Sequence, residues 1–152
     1  MAIDASNNNL IEQFISEATT LHNYVSNKNS FCNPDFSPKY SLKLGRILEK
    51  TAKSIINSPT LIEELIKLID SKDLIVASYA AEYLYPLYPT KCLKTMKKFY
   101  NSLDDNIDKY TEMSIIKGLS RKKDFFIDHY KKLYNCEDLD SLNREKRKRK
   151  SK

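Results

Sequence analysis

The sequence predicts an all-α protein of about seven helices, and three observations point there. Only Gly45 and Gly118 are glycine among 152 residues, too few for the tight turns of a many-stranded sheet. Apolar residues recur at intervals of three and four along most of the chain, which is the period of one helix face. Helix-start signals recur at Ser37, Ser58 and Asp73, where a side chain able to cap free amides precedes an apolar run.

The first helix is expected to begin at Asn8 or Asn9, with Glu12 three residues beyond Asn9 to close a capping box. Leu10, Ile11, Phe14, Ile15, Ala18, Leu21, His22 and Val25 then share one face. Residues 27–35 are polar, contain Pro34 and lack a period, so they read as a loop. Ser37 and Pro38 open the second helix, because Ser caps and Pro suits the first helical position. Its stripe is Leu44, Ile47, Leu48, Thr51, Ala52, Ile55 and Ile56, ending near Asn57. Ser58 and Pro59 repeat the signal for a short third helix that reaches Asp70. Asp73 caps a fourth, in which Ala77, Ala80 and Ala81 permit close packing beside Leu74, Ile75 and Leu84. Pro86 and Pro89 end that helix and start a fifth bearing Cys92, Leu93, Met96, Phe99 and Tyr100 on one face. Asp104 and Asp105 precede a sixth helix with Ile107, Tyr110, Met113, Ile115 and Ile116, closed by Gly118. A seventh is expected over residues 121–134, with Phe125, Phe126, His129, Tyr130 and Leu133 inward. Seven helices joined by short polar turns form antiparallel pairs, in a bundle or a solenoid.

The length suits one folded domain, expected over residues 1–143. Its formal charge of +6 is unevenly placed. Of 26 basic and 20 acidic residues, seven basic and one acidic fall in 144–152, which leaves 19 of each in 1–143. Residues 144–152 bury no apolar surface and repel one another, so a disordered basic tail is expected. Cys32, Cys92 and Cys136 are odd in number and widely spaced, without a CxxC pair, and imply neither a disulfide framework nor a zinc site. No stretch approaches the roughly 20 apolar residues of a membrane span. The polar start with Asp4 lacks the features of a signal peptide. No membrane partner is expected, and cytoplasmic residence is.

Residues 68–84 run Leu-Ile-Asp-Ser-Lys-Asp-Leu-Ile-Val-Ala-Ser-Tyr-Ala-Ala-Glu-Tyr-Leu. An acidic turn leads there into a helix that begins with aliphatics and continues with an Ala-rich packing face. The segments 64–69 and 95–100, about thirty residues apart, are each followed by such a turn and a further helix. Residues 61–119 thus resemble the small bacterial HEAT-like α-superhelical domains, with Tyr83 and Tyr85 where those repeats often carry an Arg. The resemblance implies a short right-handed superhelix of stacked helix pairs, with an irregular helical bundle as the alternative. Some of those domains serve as immunity proteins of polymorphic toxin systems, so it also implies a toxin as partner.

Catalytic signatures are missing. His22 and His129 lie far apart on apolar faces, and no HExxH, P-loop, GxGxxG or GxSxG motif occurs. The expectation is a non-enzymatic protein-binding module with no metal and no cofactor. Asp104, Asp108 and Glu112 follow a four-residue spacing, with Asp105 beside them, and would make an acidic stripe. Such a stripe caps a helix start, or docks the basic cleft of a toxin or nuclease and blocks it. Glu82 extends that surface if the helices stack. Tyr79 and Tyr83 share one side of the fourth helix and are candidate anchors when exposed, or core residues when buried. The alternative is a nucleic-acid-binding adaptor that grips phosphate through Arg144, Lys146, Arg147, Lys148, Arg149, Lys150 and Lys152, with Lys94, Lys97 and Lys98 on the body.

Overall fold

The computed structural model describes residues 2–25, 35–103, 106–121 and 124–145, and for 2–8, 106–108 and 124–125 the backbone alone. These residues form seven α-helices and no strand. The helices are α1 (Ala2–Val25), α2 (Pro38–Ile56), α3 (Leu61–Leu68), α4 (Leu74–Leu84), α5 (Pro89–Ser102), α6 (Asn106–Ser120) and α7 (Asp124–Tyr134), followed by a 3-10 turn at Asp140–Leu142. No described helix is long and apolar enough to cross a membrane. The chain divides into two compact units, 1–65 and 66–152.

In the first unit α1 packs on α2. Phe14 and Ala18 on α1 and Leu48, Ala52 and Ile55 on α2 are fully buried, as the apolar period requires. A polar network lies beside that core. Thr51, buried on α2, donates its hydroxyl to Glu17 at 2.5 Å, while the Gln13 amide donates to Thr51 at 3.2 Å and to Glu17 at 3.1 Å. Ser37 begins α2 as expected, its Oγ accepting from the Tyr40 amide at 3.2 Å with Pro38 at the first helical position. The Tyr24 ring stacks on Phe36 and meets Tyr40 edge-on, and its hydroxyl accepts from the Ser37 amide at 2.8 Å. Ile47, expected inward, is 39% exposed.

In the second unit α4 packs on α5 and α5 on α6. The Asp73 carboxylate caps α4, accepting from the amides of Ile75 at 3.1 Å and Val76 at 3.4 Å. Ala77, Ala80 and Ala81 are buried with Leu84, Cys92 and Met96, and small residues at such a seam let helices approach closely. Tyrosine hydroxyls tie the later helices to this core. Tyr85 donates to the Leu119 carbonyl at 3.0 Å, Tyr134 to that of Tyr83 at 3.0 Å, and Tyr130 to that of Glu82. The chain leaves α7 through Asn135 at φ 51. Cys136 N–H then bonds back to Lys131 and Asn135 N–H to Lys132, the Schellman closure with Asn in the left-handed position usually given to Gly.

Four helices have boundaries that differ from expectation. Helix α1 starts at Ala2, so Asn8 and Asn9 lie inside it. Asn costs an interior turn only a fraction of a kcal/mol, roughly 0.7 at most. Helix α3 begins at Leu61, after a turn in which Ser58 Oγ accepts from the Leu61 amide at 3.4 Å, and stops at Leu68. Arg121, expected to open the seventh helix, lies in a turn, and α7 is described from Asp124. Gly118 does not end α6, which continues to Ser120. A Cβ there would collide with the Phe126 ring, so this glycine serves a close approach and not a cap.

Candidate functional site

The acidic residues proposed for a surface do not form one among the described residues. Asp104 and Asp105 lie outside them, as does the side chain of Asp108. Glu112 is only 7% exposed, and its carboxylate accepts from the Ser78 hydroxyl of α4 at 3.1 Å. The cause is helical geometry: Glu112 is one turn before Ile116 and two before Leu119, both buried, so it belongs to the core face of α6. Tyr83 is likewise interior, at 7% exposure. Tyr79 and Glu82 are half-buried on α4.

Taking Glu112 out of water raises its pKa to about 7, against the opposing effect of the Ser78 hydrogen bond. Burial pushes Glu82 up as well, to about 8, with the charge of Glu112 as a second cause. The two carboxyls are therefore mutually repelling groups held in and beside the core, and not a solvated anionic patch.

Basic groups have the opposite disposition. Helix α5 carries Lys91, Lys94, Lys97 and Lys98, all exposed, and no acidic residue of its own. Its buried side is Cys92, Met96 and Phe99, so the apolar period itself drives the lysines to the opposite face. Lys94, Lys97 and Lys98 line a shallow hollow of about 550 Å³ with Thr90, Leu93 and Asn101. Lys91 is paired with Asp70 at 2.9 Å.

The start of the basic segment is anchored at this helix. Arg144 N–H bonds to the Leu87 carbonyl at 2.8 Å, and the Arg144 guanidinium lies 5.9 Å from the Tyr88 ring centre. The Glu145 carboxylate accepts from the amides of Thr90 at 3.1 Å and Lys91 at 2.9 Å. Tyr88, the residue before α5, supplies no side-chain cap, so Glu145 satisfies free amides at the positive end of the helix dipole. Residues 144 and 145 are thus ordered, contrary to the expected disorder from 144. Lys146, Arg147, Lys148, Arg149, Lys150 and Lys152 lie outside the described residues. The sequence signal for this anchor is Glu145 itself, the lone acid in a basic run.

A cavity of about 290 Å³ sits elsewhere in the second unit. Tyr85, Phe126 and Tyr130 line it together with Pro86, Pro89 and Leu119, and Glu137, Asp138 and Asp140 stand at its wall. These residues come from positions 85–143, and no local pattern announces their meeting.

His129 is half-buried against Tyr83 and Tyr130, His22 belongs to the other unit, and Cys92 is buried with its thiol pushed far up by desolvation. Among the described residues no group of His, Cys, Asp and Glu is placed to hold a metal ion. The fold defines an all-helical protein of two compact units. No family model, curated protein or solved structure matches the chain significantly.

Proposed function

We propose that the chain is a non-enzymatic binding module that takes the phosphate backbone of a nucleic acid on the lysine face of α5. The observation that carries this reading is the run Lys94, Lys97 and Lys98 on an exposed face, with the basic segment entering beside its start through Glu145. Thr90 and Asn101 offer neutral hydrogen-bonding groups at the two ends of the same hollow, the residue types that position a protein on phosphate and sugar. No base-reading element is invoked, so binding is sequence-independent and steeply salt-sensitive.

Fluorescence anisotropy with a labelled single-stranded RNA, titrated between about 50 and 200 mM salt, tests it. Each lost phosphate contact lowers the slope of log affinity against log salt by about 0.7. Lys94→Glu/Lys97→Glu/Lys98→Glu is therefore expected to flatten it by about 2, and truncation after Glu145 to flatten it further. An unchanged slope in the triple variant rules out the α5 face.

A second reading, the HEAT-like module that blocks a toxin or nuclease, draws on the half-buried Tyr79 of α4. It replaces the first if one protein co-purifies in stoichiometric amount through a moderate-salt wash, is lost in Tyr79→Ala and is retained in the lysine triple variant.

A further inference from the structure

The geometry points to a second binding site: the cavity between α7 and the turn before residue 143 receives a small organic ammonium ion with an apolar body. At about 290 Å³ it lies just below the roughly 300–1,000 Å³ of small-molecule sites, so a small ligand fits it. Its floor is aromatic. Phe126 and Tyr130 stack with ring centres 6.5 Å apart, and Tyr85 stacks on Tyr130 at 6.1 Å. The faces of such rings are the negative part of their quadrupole and attract a cation.

The wall selects the same charge. Glu137, Asp138 and Asp140 border the cavity against one cation, Lys131. Asp138 is engaged in the turn, its carboxylate accepting from the Asp140 amide at 3.0 Å. Glu137 and Asp140 are exposed at the rim, where a carboxylate can meet an ammonium head while the apolar body rests on the rings. Tyr85 and Tyr130 are held by hydroxyl bonds to the carbonyls of Leu119 and Glu82, and Gly118 admits the Phe126 ring. The floor is thus built before a ligand arrives, which lowers the entropy cost of binding. An anion is disfavoured by the wall, and a neutral ligand of equal shape forgoes the charge term. This site is independent of the α5 lysines.

The test uses the full chain and three probes of similar shape: phenethylammonium, 2-phenylethanol and 3-phenylpropionate, followed by amide chemical shifts. The ammonium is expected to give saturable shifts at Phe126, Ile127 and Asn143 and to bind on the order of tenfold tighter than the alcohol, as one charge-assisted contact implies. The carboxylate is expected to show none. In Glu137→Gln/Asp140→Asn, two exposed changes that leave the floor intact, the preference for ammonium over alcohol is lost while alcohol binding stays. The proposal is overturned if the three probes bind alike, if none shifts these residues, or if the double variant keeps its preference for the ammonium.

Discussion

Replacing Glu112 by Gln should make the second unit more stable at neutral and alkaline pH and leave it nearly unchanged in acid. The wild-type carboxyl is 7% exposed and has its pKa raised by burial from 4.5 to about 7. Between those values the folded protein keeps a proton that the unfolded chain has released, so unfolding free energy falls as pH rises. The contribution is full below about 4.5, is lost progressively, and is gone above about 7. At about 1.4 kcal/mol per pH unit the loss amounts to about 3 kcal/mol. The side-chain amide of Glu112→Gln is neutral throughout, and its carbonyl can still accept from Ser78, whose hydroxyl donates to the native carboxylate at 3.1 Å. Urea unfolding followed by far-ultraviolet circular dichroism, at pH 4.5 and pH 8, gives the comparison. Glu112→Gln is expected to exceed wild type by about 3 kcal/mol at pH 8 and by a few tenths at pH 4.5. An equal difference at the two pH values would refute a buried carboxyl at this position, and so restore Glu112 to the surface.

Three further substitutions test local features. Asp73→Ala removes the cap of α4 and should cost about 1 kcal/mol, with faster hydrogen exchange at the Ile75 and Val76 amides; unaltered exchange there would contradict the cap. Gly118→Ala drives a methyl into the Phe126 ring. Overpacking of about 1–3 kcal/mol should outweigh the roughly 1 kcal/mol by which Ala favours a helix, so the melting temperature should fall; a rise would mean the ring yields freely. Thr51→Val deletes the hydroxyl shared by Glu17 and Gln13 and should lower first-unit stability by about 1–2 kcal/mol in urea unfolding.

The local signals were legible and the non-local ones were not. Ser37 with Pro38, and Asp73, mark the starts of α2 and α4 because a cap acts within three residues of itself. Asn8 and Asn9 carry the same marker without the structure behind it, since the preceding residues can continue the helix. Gly118 shows the ambiguity of a single residue type: the chain alone does not reveal that Phe126 approaches it. Glu112 sits on a four-residue row with Asp108 on one side and Ile116 on the other, so period alone supports an acidic stripe and a core stripe equally. Burial of Ile116 and Leu119 decides it. The α5 lysines were visible in sequence because Cys92, Met96 and Phe99 define the opposite face. The aromatic cavity, assembled from residues 85–143, had no local trace.

The most direct measurement of the proposed function is an amide chemical-shift titration of the full chain with single-stranded RNA at low salt. Contact through the α5 face requires the largest shifts at Thr90, Lys94, Lys97, Lys98 and Asn101, reversed by added salt. Shifts confined to residues beyond Glu145, with α5 unmoved, would contradict it and leave the basic segment as the whole of the binding element.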